Sequence, residues 1–115
     1  MAQGHKYHAI ATTVDGIRFP SKKEACRYQE LRLLEKAGEI RELELQPKFP
    51  LYVPAQLGTS RVVQIGVYKA DFRYRSGPRG VLVIEDVKSA GTKTTAYRLR
   101  KRMVEAIYGI QISEV

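Results

Sequence analysis

The stretch V81-L-V-I-E-D-V-K88 decides the fold. Val81 to Ile84 form a continuous aliphatic run of the length expected for a buried strand, yet it passes directly into Glu85, Asp86 and Lys88. Strand side chains alternate between faces, so Asp86 and Lys88 project one way while Glu85 and Val87 project the other. Upstream, V62-V-Q-I-G-V-Y-K-A-D-F-R-Y-R75 reads as a second strand. Alternation gives it a face of Tyr68, Ala70, Phe72 and Tyr74, and an opposite face of Lys69, Asp71 and Arg73. The S-G-P-R-G turn at 76–80 returns residues 81–88 antiparallel to it, which brings Asp71 toward Asp86.

Working outward, Asp15-Gly16 between H-A-I-A-T-T-V (8–14) and I-R-F (17–19) supplies the positive φ angles of a two-residue hairpin turn. Residues 21–38 predict a helix with Ser21 as N-cap, Gly38 as its left-handed end and an apolar stripe of Ala25, Tyr28, Leu31, Leu34 and Ala37. Residues 40–53 are extended and interrupted by Pro47 and Pro50, and 54–61 form a loop. A second helix over 94–109 is expected to turn Ala96, Leu99, Met103, Ala106 and Ile107 inward, with Arg98, Arg100, Lys101 and Arg102 on its other face. A short strand closes the chain at 110–115. The fold class is α/β, or α+β: a central mixed β-sheet flanked by two main helices, in one domain over 1–115 with residues 1–8 a flexible terminus.

The chain of 115 residues carries a formal charge of +8, which favours a polyanionic partner, nucleic acid first. It has no apolar tract of membrane-spanning length and no secretory signal, so a cytoplasmic protein with no membrane partner is expected. One cysteine, Cys26, excludes an internal disulfide and is read as a small buried helix residue. His5 and His8 are spaced like a metal pair but lack further ligands.

Asp71 and Asp86 brought together would repel and raise each other's pKa unless a positive charge lies between them. A divalent ion such as Mg²⁺ serves, since it takes carboxylate oxygens and substrate phosphate together. Lys88 would then hold an attacking water or the developing charge. A solvated salt-bridge cluster is the plainer alternative.

Asp71 followed by Asp86-Val87-Lys88 at the end of a hydrophobic strand resembles the Asp and (Asp/Glu)-x-Lys signature of the restriction-endonuclease-like, or PD-(D/E)xK, nuclease superfamily. Ala70 stands where the signature has proline. The stretch from Phe19 to Phe49, with its Ser-x-x-Glu helix start and L-Q-P-K-F strand, is similar to small phage-encoded members, including Holliday-junction-resolvase-like endonucleases, and to transposon end-cleaving enzymes.

The resemblance implies a restriction-endonuclease-like core and a metal-dependent DNA endonuclease of phage recombination or repair. It implies that Glu24, Asp71 and Asp86 hold Mg²⁺, for which Mn²⁺ would substitute. Gln46 would line the site, and Lys88 would assist. Branched DNA such as a four-way junction is an implied substrate, and a homodimer would offer it two sites. Ser21-x-x-Glu24 is equally a capping box, a competing use for Glu24, and Gln46 could instead make a strand-edge hydrogen bond. Lys93, Arg98, Lys101 and Arg102 follow the catalytic strand closely enough to contact phosphates. A non-catalytic DNA-binding protein, or a subunit of a recombination or transposition complex, would keep the same fold and charge.

Overall fold

A computed structural model describes residues 10–115. The His5 and His8 pair and the start of the first expected strand lie outside the described residues.

The first helix, α1 (Lys22–Lys36), begins where Ser21 Oγ accepts the Glu24 N–H at 3.1 Å. It follows a hairpin of β1 (Thr12–Val14) and β2 (Ile17–Phe19), whose turn residues Asp15 and Gly16 both have positive φ. The Tyr28 hydroxyl donates to Asp15 Oδ2 at 3.0 Å and ties this hairpin to the helix. Next come β3 (Ile40–Leu45), β4 (Lys48–Pro54), β5 (Val62–Lys69), β6 (Phe72–Ser76) and β7 (Val81–Asp86). Helix α2 (Thr95–Tyr108) is capped by the Thr94 hydroxyl and ends at left-handed Gly109, before β8 (Ile112–Glu114).

The central sheet has the order β3-β6-β7-β8 and is mixed: β7 runs parallel to β8, and the other neighbours are antiparallel. Each face carries one helix. Ala25, Tyr28 and Leu31 of α1 pack with Ile40, Phe72 and Tyr74 on one side. Tyr97 and Val104 of α2 pack with Ile84, Ile112, Phe49 and Leu51 on the other. The α/β class expected from the sequence is the observed one.

The long strand expected over 62–75 is two strands. Tyr68, Ala70, Phe72 and Tyr74 are all buried, but the first two join the α2 core and the last two the α1 core. The chain bends at Ala70-Asp71, opposite a second bend at Gln46-Pro47, where Gln46 has φ +51° and proline has no N–H to give the ladder. The bends are stitched together by Gln46 N–H to Asp71 O at 2.9 Å and Ala70 N–H to Pro47 O at 3.1 Å. Beyond them β4 and β5 leave the central sheet as a separate ribbon.

Three packing expectations need correction. Leu34 and Ala37 lie exposed, at the open C-terminal end of α1. Cys26 is exposed, about 100° around the helix from Ala25. On α2 the inward residues are Tyr97 and Val104, with Met103 partly covered, whereas Leu99 is 59% exposed and Ala96, Ala106 and Ile107 also face outward. Aromatic rings fill this layer: Tyr108, four and eleven residues beyond Val104 and Tyr97, meets Phe49 edge-on at 5.4 Å and donates to Pro50 O at 2.6 Å.

Leu31→Ala is therefore expected to cost about 2–5 kcal/mol through the cavity it leaves, and Leu99→Ala no more than about 0.5 kcal/mol. Urea unfolding of both variants checks this, and equal losses would contradict the observed α2 orientation.

Candidate active site

The bend puts Asp71 where the ladder between β6 and β7 ends. Its backbone N–H donates to Glu85 O at 3.0 Å, and its Oδ2 accepts the Val87 N–H at 2.7 Å. The side chain thus takes over the pairing that a continued strand would have made. The Lys88 N–H goes on to Val115 O, and Val115 N–H to Asp86 O, so β8 holds the same strand end from its other side.

Alternation along β7 sends its two carboxylates to opposite faces, and each is only 2% exposed. Glu85 faces α1, where Arg27 grips both its oxygens through Nε at 2.8 Å and Nη2 at 2.5 Å, and Tyr74 donates a short hydrogen bond. That pairing commits both Glu85 oxygens to Arg27 and Tyr74. Asp86 faces α2 and accepts a short hydrogen bond from the Tyr68 hydroxyl on Oδ2. Burial raises the Asp86 pKa, with the Tyr68 hydrogen bond and Lys88 opposing it. Burial also raises Asp71, against the Val87 N–H, and the Asp86 charge adds to the rise.

Glu24 reaches the same place from α1. Its backbone makes half of a capping box, but its Oε2 does not close the other half and is buried without a hydrogen-bond partner among the described residues. Its pKa is pushed up from 4.5 to about 7 by burial first and by the Asp71 carboxylate second, with Lys88 opposing and Asp86 adding to the rise. Glu24, Asp71, Asp86 and Lys88 therefore share one electrostatic neighbourhood. The carboxyls are not drawn into one tight shell; among the described residues no group of three or more His, Cys, Asp or Glu is spaced as a ready-made set of metal ligands. Still, an orphaned buried oxygen beside the buried carboxyl of Asp86 and the half-buried carboxyl of Asp71, both of raised pKa, is a donor set that a hard divalent cation fits.

Lys88 stands with its Nζ 4.4 Å from the centre of the Tyr97 ring, and Lys23 Nζ donates to its carbonyl at 2.6 Å. Tyr97 is itself anchored, its hydroxyl donating to Glu114 Oε2 at 2.8 Å. Lys93 and Lys101 both pair with Glu114, at 3.0 and 3.5 Å, which draws its pKa down to about 2. Two of the four cations expected on DNA are thus engaged in an internal ion cluster, while Arg98 and Arg102 are exposed. Gln46 contributes its backbone to Asp71, and its side chain is exposed. Glu30, on the same helix, is exposed and pairs with Arg27.

Sequence reasoning missed Arg27, Tyr68 and Arg100. Arg100 lines a pocket of about 370 Å³ together with Asp86, Lys88 and Lys69. The hint for Tyr68 was its place on the face shared with Ala70, but its hydrogen bond to Asp86 depends on the bend.

The chain belongs to the DUF1064 family, described as a protein of unknown function, whose model matches residues 4–113. No curated protein and no solved structure matches it. Among the described residues no helix is long and apolar enough to cross a membrane.

The lowered pKa of Glu114 fixes a pH dependence. The stabilisation is fully present above about 4.5, the ordinary glutamate value, and is lost as pH falls through about 2. Glu114→Gln is expected to cost on the order of 1–2 kcal/mol at neutral pH, after allowance for partial solvent exposure. The gap between variant and wild type should narrow as urea unfolding is repeated toward pH 2. A pH-independent gap would mean that the ion cluster contributes nothing.

Proposed function

We propose that this chain is a metal-dependent DNA endonuclease that hydrolyses phosphodiester bonds. The observation that carries the reading is the convergence of Glu24, Asp71 and Asp86 with Lys88 at one strand end, with Glu24 Oε2 buried and unpartnered among the described residues. Gathering two buried carboxyls and the half-buried Asp71 opposes stability, because burial and their mutual repulsion disfavour ionisation. Such an arrangement is expected where function requires it.

In this reading Glu24, Asp71 and Asp86 hold Mg²⁺, with Mn²⁺ able to substitute. When bound, the ion supplies charge neutralisation and an acidified water. The chain's own groups do the rest. The Val87 N–H and the Tyr68 hydroxyl each occupy one oxygen of Asp71 and Asp86, which fixes the carboxylate planes and leaves the other oxygen of each for the ion. The Lys88 ammonium leaves the Tyr97 ring to orient the attacking water or to offset charge on the phosphate oxygens. Arg98 and Arg102 add attraction for the backbone. A role in phage recombination or repair, the cutting of branched DNA and a homodimer with paired sites belong to the same proposal.

Two measurements test it. Saturating Mg²⁺ should raise the thermal midpoint of wild type and not that of Asp86→Asn, because a ligand that binds only the folded chain stabilises it. Purified protein should cut four-way-junction, flap, single-stranded or linear DNA in Mg²⁺ or Mn²⁺ but not in EDTA, and Asp86→Asn and Lys88→Ala should each reduce the rate by at least about 100-fold. Undiminished cutting by Asp86→Asn would overturn the assignment. Tight, salt-sensitive DNA binding without cutting, unaltered by Asp86→Asn, would favour a non-catalytic DNA-binding protein instead.

A further inference from the structure

The pocket of about 370 Å³ joins Asp86 and Lys88 of the hydrolytic step to Val67, Lys69 and Arg100, which that step does not use, and its lining suits a larger group than phosphate. The volume lies within the range of sites for small organic molecules, about 300–1,000 Å³, and far exceeds the needs of a single phosphate. Its lining is divided. Lys69 from β5 and Arg100 from α2 bring two cationic side chains from separate elements, with Lys88 a third at the strand end. Val67, 43% exposed, and the Tyr97 ring add an apolar wall.

Cations alone would suit phosphate, and an apolar wall alone a hydrophobic ligand. Together they match a nucleotide, whose anionic group needs Lys and Arg and whose sugar and base need a surface to lie on. In a regular duplex the base faces are covered by stacking, and a protein meets only the backbone and the base edges in the grooves. The geometry points to this pocket as a subsite for a single unstacked nucleotide of the strand that lies across Asp86, its phosphate held by Lys69 and Arg100. The inference rests on the nuclease reading for the identity of that strand, and it gives the site a preference for DNA with unpaired nucleotides.

The test is a binding measurement in EDTA, without turnover, using inorganic phosphate, deoxyadenosine monophosphate, a blunt DNA duplex and the same duplex with a one-nucleotide overhang. The monophosphate should bind at least about tenfold more tightly than phosphate, and the overhang should bind more tightly than the blunt duplex. Arg100→Ala should weaken both by about tenfold or more, the usual effect of removing a hydrogen bond to a charged group. Arg79→Ala, an equal change of charge at an exposed position of the 77–80 turn, should alter them less than about twofold.

The subsite is refuted if the monophosphate binds no better than phosphate, or if Arg79→Ala does as much harm as Arg100→Ala. An overhang that gains nothing over the blunt duplex would assign the pocket to free nucleotides and overturn the strand assignment. Cutting by wild type with no preference for the monophosphate would sink the subsite alone. The expected binding pattern without any cutting would sink the nuclease reading and leave the subsite standing.

Discussion

Burial of two adjacent carboxylates on opposite faces of one strand is the constraint around which this molecule is organised. A carboxylate withdrawn from water is strongly destabilising unless hydrogen bonds and opposite charge compensate it. Because Glu85 and Asp86 point to opposite layers, they cannot share their compensation. Glu85 draws Arg27 from α1 and Tyr74 from the neighbouring strand. Asp86 draws Tyr68 from the ribbon. Each carboxylate thereby ties β7 to an element that would otherwise only rest on it.

The Glu85 pairing also sets the site on the other face. Arg27 follows Glu24 by three residues, so the two side chains leave α1 on one side, less than a turn apart. A helix held to β7 through a two-pronged guanidinium contact cannot slide or roll freely, and its first turn is left over the end of the sheet. Glu24 is brought there beside Asp71, with its Oε2 buried and unpartnered among the described residues. A buried ion pair adds little net stability compared with apolar packing, but removal of either partner leaves an uncompensated charge. The Arg27–Glu85 pair is better understood as a register pin for Glu24 than as a source of stability.

Local signals survived the passage from sequence to structure, and long-range ones did so in part. The caps at Ser21 and Gly109, the Asp15-Gly16 turn and the alternation along β7 depend on a few neighbouring residues, and all were legible. The exposed side of α2 was not. Leucine and isoleucine suggest an inward face, but the layer beneath takes the rings of Tyr97 and Tyr108, and periodicity carries no information about what a helix will meet. The bend at Ala70-Asp71 was hidden for a related reason: alternation runs unbroken through it, and only the opposing Gln46-Pro47 breaks the ladder. The convergence of Asp71, Asp86 and Lys88 was readable because it needed only one turn and one parity. The place of Glu24 required the Arg27 contact, which spans 58 residues.

The same limit applies to charge. A net +8 suggests a basic face, yet Lys93 and Lys101 fold inward around Glu114, and that cluster fixes Tyr97, over whose ring Lys88 stands. Cations that looked like a phosphate-binding array serve to position a single one. What they leave for a ligand is Arg100 and Lys69, on two different elements at the edge of the Asp86 pocket, and Arg98 and Arg102 on open helix surface. A charge count on a helix therefore overstates its electrostatic reach wherever one carboxylate from a neighbouring strand is placed to collect several of the cations. Here the single Glu114 accounts for two of the four, and it does so because β8 runs parallel to β7 and ends beneath α2.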